Sequence, residues 1–245
     1  PVAVLSSHFR PVSHYFRQNF SQVTNPPIDS LRENKMMSLK TRFGNLGNIL
    51  DFDNLTEENI YVLDSPILTN SQFKKFRKFF SKKTKVIDCT FDISSSLKDR
   101  IEAIRVEAET SVREGSTCII LSDKNISNEK ATIPSILVVG AVHSYLVKQG
   151  LRGYCSLNVE CSDALDTHSF AVLIGVGATT INPYLAIDSI YQRFEKKLFG
   201  QLTFEECVQR YVKSIDNGLL KIMSKMGISV LSAYRGGCNF EAVGL

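Results

Sequence analysis

Polar side chains follow two of the predicted strands at the point where each strand ends. Ser122 and Asp123 come directly after an apolar segment at 117–121, and Glu160 follows another at 156–159. Because the carboxyl ends of parallel strands meet at one edge of a sheet, the two carboxylates could cooperate in acid–base chemistry. The simpler interpretation is that these side chains cap helices and bond to loops.

Histidine is the next residue type that could act in catalysis, and the chain contains four of them without metal-binding spacing. His143 stands in an apolar segment, which favours a core histidine satisfied by one hydrogen bond over a functional one. His168 follows Asp163 and Asp166 at a predicted strand-to-helix turn. For His168 a functional and a structural role are equally open.

Cysteine and glycine patterns predict neither a metal site nor a cofactor loop. The six cysteines are scattered without C-x-x-C pairs, which is typical of reduced core thiols in a cytosolic protein. Gly175 and Gly177 resemble part of a phosphate-binding loop, but the third glycine is missing. The residues taken alone therefore predict no catalytic nucleophile and no bound cofactor or metal.

One basic run could bind a polyanion. It consists of Lys74, Lys75, Arg77, Lys78, Lys82, Lys83 and Lys85. The phenylalanines among these residues recur at core spacing and are not arranged as exposed stacking platforms. A solvated helix face is the favoured interpretation and nucleic-acid binding the alternative, since the net charge of the chain is only +4.

The elements that must position these side chains alternate between short apolar strands and helices. Strands are predicted at 60–63, 85–89, 117–121 and 156–159. Helices are predicted between them, and the longest one begins at a capping box formed by Thr203 and Glu206 and ends at Gly227. The segment 134–149 is apolar on nearly every side, which indicates a buried helix. Aromatic residues at helical spacing predict a further helix over 9–20, and a short one is expected around 31–39.

This alternation predicts an α/β fold with parallel strands, about four strand–helix units and extra helices. The right-handed crossover rule leaves an open doubly wound sheet or a partial barrel. The hydrophobic fraction is 43% and the charged fraction 22%, which is typical of a globular domain. No apolar segment is long enough to cross a bilayer. Because the chain lacks an initiator methionine and ends on an apolar segment, we expect a piece of a longer protein.

Three segments are more specific than composition. The first is QVTNPPID at 22–29, continuing through LRE at 31–33. The second is IPS at 133–135 with VGAVH at 139–143, and the third is GLLKIMSKMGIS at 218–229 with SAYRG at 232–236 and FEAVGL at 240–245. Over essentially the whole chain, these segments resemble the central domain of the glutamate synthase large subunit. The chain departs from that family in carrying single histidines at His143 and His168, where many relatives have two or more.

The resemblance implies a cytoplasmic parent oxidoreductase that converts glutamine and 2-oxoglutarate into two glutamates, using FMN and an iron–sulfur cluster. It implies a reduced, FMN-barrel-like fold without the flavin in this chain. The expected role is to connect the amidotransferase domain with the FMN-binding domain of the same chain and to help form an internal ammonia channel. The expected layout is one domain, with an N-terminal interface segment at 1–55, a βα core at 56–200 and a C-terminal helix and link at 201–245. No nucleic acid or membrane partner is expected.

The resemblance also suggests which residues act at domain interfaces or in the channel, while no residue is predicted to be catalytic. The N-terminal interface candidates are Asn25, Asp29, Arg32 and Glu33, for which local turn bonding is the alternative. The candidates on the flavin-domain side are Lys225, Tyr234 and Arg235. The remaining candidates are Ser122, Asp123, His143, Glu160 and His168. The alternative to this function is an independent barrel-type enzyme with its site at the strand rim that bears Ser122, Asp123, Glu160 and His168.

Overall fold

The computed structural model describes residues 8, 10–20, 29, 31–43 and 61–244. The strands are β1 (Phe16–Gln18), β2 (Thr41–Phe43), β3 (Tyr61–Leu63), β4 (Thr84–Asp88), β5 (Thr90–Asp92), β6 (Cys118–Ser122), β7 (Lys130–Thr132), β8 (Ser156–Glu160), β9 (Thr180–Asn182) and β10 (Phe240–Ala242). The helices are α1 (Glu33–Met36), α2 (Asn70–Phe79), α3 (Leu97–Arg113), α4 (Ser135–Lys148), α5 (Thr167–Gly175), α6 (Tyr184–Glu195), α7 (Phe204–Met226) and α8 (Leu231–Tyr234).

The centre of the fold is a four-stranded parallel sheet in the order β4-β6-β8-β9. Neighbours in the sheet are also successive along the chain, and α3, α4 and α5 form the connections between them. The predicted α/β architecture with parallel strands is therefore confirmed. Among the described residues the strands do not close into a barrel, and beyond β9 the sheet continues there only as an isolated parallel bridge between Ile67 and Ile181.

The two faces of the sheet are covered by different helices. On one face, Ile119 and Leu121 of β6 belong to the main core with α3, α4, α5 and α7. On the other face, Cys118 and Ile120 join a smaller cluster supplied by α2 and its flanks. The aromatic and aliphatic members of that cluster are Leu68, Phe73, Phe76 and Phe80. Because both faces of the sheet are covered, every residue of β6 and β8 is buried, and burial does not alternate along these strands.

Several helix predictions are confirmed in detail. The Thr203 hydroxyl accepts a hydrogen bond from the backbone N–H of Glu206, and Glu206 bonds back, so a complete capping box begins α7. Gly227 ends α7 with a φ of 69°, a conformation that glycine adopts without cost. The apolar helix α4 is buried along most of its length, and α2 buries Phe73 and Phe76 while its lysines are exposed. Within the described part of the chain, no helix combines the length and apolarity needed to cross a bilayer.

The predicted helix over 9–20 is wrong. The described residues of this segment form a short 3-10 helix at Val12–Tyr15 and then the strand β1, which pairs antiparallel with β10. Phe20, assigned to the aromatic face of that helix, is exposed. The pairing partner lies more than two hundred residues away in the sequence, so the local spacing of aromatic residues could not indicate it.

Two strand assignments also differ from the prediction. The segment predicted as a strand at 60–63 becomes β3, but it pairs antiparallel with β2 and lies outside the central sheet. The fourth parallel strand is instead β9, which pairs with β8. β9 is only three residues long and α6 begins two residues after it, so the sequence contains no apolar run long enough to predict a strand there.

Candidate functional site

The rim at the carboxyl ends of β6 and β8 holds the predicted pair of Ser122 and Glu160. The two residues are direct neighbours in the sheet register. The Ser122 hydroxyl donates to Glu160 Oε2 at 2.7 Å, and the Lys124 ammonium contacts Glu160 Oε1 at 2.8 Å. Glu160 is only 4% exposed, and each of its two oxygens has a partner within the protein. The same ammonium lies 4.9 Å from the centre of the Tyr184 ring.

Asp123 lies beside this pair and holds the following loop. Its Oδ2 accepts from the backbone N–H and the hydroxyl of Ser162 at 2.8 and 2.7 Å. Its Oδ1 is buried and has no hydrogen-bond partner among the described residues. Burial raises the pKa of Asp123, and the nearby Asp163 carboxylate acts in the same direction. Burial also raises the pKa of the Tyr184 phenol, and the negative charge of Asp123 raises it further.

The enclosed cavity that the described residues form at this rim is small. The cavity bounded by Asp123, Glu160, Cys89 and Cys161 has a volume of about 10 Å³, whereas small-molecule sites usually measure roughly 300 Å³ or more. Burial raises the pKa of the Cys161 thiol beside it well above its usual value, which disfavours the reactive thiolate form. Within the described ranges, no three His, Cys, Asp or Glu side chains are grouped as metal ligands.

His168 has a structural role at the start of α5. Its Nε2 lies 2.9 Å from the Ser13 carbonyl, so this nitrogen carries the proton and donates it. The ring meets Phe240 edge-on, with 6.2 Å between centroids. His168 therefore ties the N-terminal segment to α5, and its described contacts do not include Ser122, Asp123 or Glu160.

His143 lies at the opposite end of the sheet from the rim. The Arg152 Nε–H donates to His143 Nδ1 at 3.1 Å, and Arg152 also donates to the carbonyls of Cys155 and Gly177 at 2.6 and 2.9 Å. Burial lowers the pKa of His143 to about 4, with further contributions from Arg152 and Arg235. The imidazole is therefore neutral at physiological pH, with its proton on Nε2.

The N-terminal interface candidates form a local turn where they are described. Asp29 Oδ1 accepts from the backbone N–H groups of Leu31 and Arg32 at 3.0 and 3.1 Å. The Arg32 Nε contacts Asp29 Oδ2 at 3.4 Å, and both side chains are exposed. Glu33 is the first residue of α1, and Asn25 lies outside the described residues. The turn bonding weighed in the sequence analysis is thus present, and it leaves Arg32 accessible.

The three C-terminal candidates lie in different environments. Lys225 is exposed in the last turn of α7. Tyr234 is only 1% exposed, and its hydroxyl accepts from the Gln18 side chain at 3.2 Å, so the core of this chain surrounds it. Arg235 is partly buried, and its Nε has no hydrogen-bond partner in the described part of the structure.

Sequence reasoning missed the residues that complete both clusters. Lys124, Ser162 and Tyr184 engage the rim carboxylates, and Arg152 holds His143. Lys124 follows Ser122 and Asp123 directly, so it could have been assigned to the rim. Arg152 stands alone after a helix end, and nothing in its local sequence indicates a partner on α4.

Comparison with known proteins now identifies the family. The family model described as the glutamate synthase central domain matches residues 1–245. The chain belongs to the glutamate synthase central domain family. The chain is 54% identical, over its full length, to the large chain of NADPH glutamate synthase from Azospirillum brasilense. It is 40% identical to the corresponding chain from Bacillus subtilis and 39% identical to the ferredoxin-dependent chloroplastic glutamate synthase of Oryza sativa subsp. japonica. It spans 16% of the length of each of these relatives.

Among the solved structures that this chain is similar to are forms of flavocytochrome b2. A mutant of flavocytochrome b2 with benzoylformate aligns with 71% of this chain and 38% of its own chain, at 9% sequence identity and a TM-score of 0.48. The α/β fold is shown by the central sheet of this chain, whose parallel strands follow one another in the order β4-β6-β8-β9.

Proposed function

We propose that this chain is the connecting domain of a glutamate synthase large chain, joining the amidotransferase domain to the FMN and iron–sulfur domain. The observation that carries the proposal is the match of the central domain family over residues 1–245. The parent enzyme would make glutamate from glutamine and 2-oxoglutarate with FMN and an iron–sulfur cluster held by other domains. The parent reaction would take place in an aqueous compartment such as the cytoplasm.

The second part of the proposal is that the domain helps to enclose the passage of ammonia between the two active sites. Ammonia that escapes into bulk water becomes protonated and diffuses away, so the route must exclude solvent. A wall of this kind requires a rigid, well-packed scaffold with few open polar groups. It does not require a nucleophile or a cofactor in the connecting domain.

The packing of the central sheet supports such a scaffold role. Helix α5 is buried at Ser169 and at every residue from Phe170 to Gly175, and α4 is buried on several sides. At the rim, Ser122 and Lys124 each engage one oxygen of Glu160, and the residue is only 4% exposed, so little of this carboxylate is open to a substrate. This arrangement speaks against an independent enzyme that works at the rim.

An exposed segment supports a contact with a neighbouring domain. Leu31 is 88% exposed and Met36 is 59% exposed, on either side of the accessible Arg32. The following residues Met37 and Leu39 are buried in the main core, which fixes this segment against the domain. Contiguous exposed apolar patches mark interaction surfaces, and the proposal is that Leu31 and Met36 contribute to one.

The test is the coupling between the two half-reactions in the full-length enzyme carrying Arg32→Ala. We expect glutamine hydrolysis to exceed glutamate formation in this variant, because a loosened interface would let ammonia escape. The matched control is Arg77→Ala, which removes an exposed arginine from α2 on the other side of the sheet. Equal rates of hydrolysis and synthesis in Arg32→Ala, as in the parent, would remove Arg32 from the proposed interface.

A further inference from the structure

Arg235 presents hydrogen-bond donors that no described residue accepts. It follows α8 directly, and its Nε is buried without a partner. No hydrogen bond or ion pair joins its side chain to any residue in the described part of the chain. A guanidinium carries five N–H donors, and leaving a buried charged donor unpaired is costly. An acceptor outside the described residues would remove this cost.

A second donor lies beside Gly236, the residue that follows Arg235, and it is close enough to Arg235 for that charge to affect its pKa. The Nδ1 of His143 accepts from Arg152, so its proton is on Nε2. A Cβ atom placed on Gly236, the residue after Arg235, would lie 2.8 Å from His143 Nε2, which shows how closely this backbone approaches the ring. Gly177, with a φ of +121°, approaches the same ring from another segment, so the imidazole is held in one orientation. No hydrogen bond from His143 Nε2 to a described residue is present.

Among the described residues, the charged side chains that act on these donors are both arginines, Arg152 and Arg235. Arg152 donates hydrogen bonds to His143 and to backbone carbonyls, and no carboxylate in the described part of the chain accepts from it. Burial lowers the pKa of Arg235 to about 10, and repulsion from Arg152 acts in the same direction. The same two arginines lower the pKa of His143. An uncompensated positive potential of this kind attracts an anion.

We propose that Arg235, together with the Nε2–H group of His143, binds an oxyanion at the end of the sheet opposite the rim. The ligand chemistry is that of a carboxylate or a phosphate, whose oxygens match the planar fork of a guanidinium. The anion comes either from solution or from an acidic side chain elsewhere in the parent polypeptide. This inference goes beyond the connecting role and does not depend on it.

The effect of neutralising Arg235 has opposite signs with and without the anion. If no anion binds, Arg235→Gln removes a desolvated charge that Arg152 repels, and the region becomes as stable as before or more stable. If an anion binds, the same change removes its main partner and destabilises the region. The sign of the change therefore tests the proposal whatever the source of the anion.

The experiment is hydrogen–deuterium exchange of peptides covering residues 231–242 in the full-length enzyme. The parent, Arg235→Gln, Arg235→Lys and the control Arg193→Gln, an exposed arginine on α6, are compared in inorganic phosphate and in chloride at equal ionic strength. We expect about tenfold faster exchange in Arg235→Gln, corresponding to the loss of one charged hydrogen bond, and no change in Arg193→Gln. Arg235→Lys keeps the positive charge but loses the planar guanidinium, so it should also exchange faster. This variant replaces Arg235→Gln in the experiment if the glutamine variant does not fold.

The two sources of the anion give different patterns. A dissolved oxyanion protects the parent in phosphate and not in chloride, whereas an acidic side chain of the parent polypeptide protects it equally in both. Exchange in Arg235→Gln and Arg235→Lys that is equal to or slower than in the parent, in both salts, would overturn the proposal. Loss of the coupling between glutamine hydrolysis and glutamate formation is not needed for either result, so this test is independent of the connecting role.

Discussion

At the scale of single residues, the buried carboxyl groups differ in how well the protein compensates them. Glu160 has one oxygen bonded to Ser122 and the other to Lys124. Asp216 on α7 has a single described partner, the Ser65 hydroxyl, which donates to it at 2.7 Å. A buried carboxylate with so few donors favours its neutral form. Protonation of Asp216 should therefore contribute to the pH dependence of the free energy of unfolding.

Burial raises the pKa of Asp216 from 3.8 to about 6, while the Ser65 hydrogen bond opposes the shift. Because the folded state keeps this proton to a higher pH than the unfolded state, the contribution of Asp216 to stability falls as the pH rises from about 4 to about 6 and stays low above that. We expect Asp216→Asn to increase the free energy of unfolding at pH 7 by about 2 kcal/mol. This gain should disappear near pH 4.

The measurement is urea unfolding of the chain at a series of pH values between these limits. Asp64→Asn, at an exposed aspartate, is the matched control. A gain for Asp216→Asn that is the same at every pH would show that its carboxyl group does not titrate in this way.

At the scale of elements, the contact between α5 and α7 depends on a missing side chain. A Cβ on Gly218 in α7 would lie 2.4 Å from Thr167 Cγ2 and 3.1 Å from Thr167 Cβ, so no rotamer of Thr167 relieves the clash. A Cβ on Gly140 in α4 would meet Val176 Cβ at 3.8 Å, which is an ordinary contact. Two glycines inside helices are thus in opposite steric situations.

These situations predict opposite effects of alanine. Alanine in a helix interior is favoured over glycine by about 1 kcal/mol, so Gly140→Ala should stabilise the chain by roughly that amount. At Gly218 overpacking costs about 1–3 kcal/mol and outweighs the helix preference, so Gly218→Ala should destabilise it. Thermal unfolding of the two variants provides the comparison. Stabilisation by Gly218→Ala would mean that α5 and α7 are not in close contact.

The elements also show which part of the fold the sequence could predict. Local signals were sufficient for α7, because its capping box and terminal glycine are contiguous with its apolar stripe. They failed for β1 and β9, since these short strands are defined by partners that are distant in the sequence. The rim pair of Ser122 and Glu160 was predictable because both residues end parallel strands. The contact between Arg152 and His143 depends on the path of the chain after α4, which no local pattern indicates.

At the scale of the whole molecule, this chain spans only 16% of its glutamate synthase relatives. Among the described residues its central sheet is open, Glu160 at the rim is bonded to Ser122 and Lys124, and the enclosed cavity beside it measures only about 10 Å³. An exposed segment with Leu31 and Met36 lies beside the core and is available to a neighbouring domain. These features fit the proposed role of a rigid connecting domain.

The measurement that tests the connecting role most directly follows the nitrogen atom itself. Full-length enzyme is given glutamine with an isotopically labelled amide nitrogen in the presence of excess unlabelled ammonium, and the label in the newly formed glutamate is determined. We predict that the parent and the Arg77→Ala control transfer the label undiluted, whereas a variant carrying Leu31→Glu and Arg32→Ala dilutes it with nitrogen from solution. Undiluted transfer in that double variant would contradict a role for this domain surface in enclosing the ammonia passage.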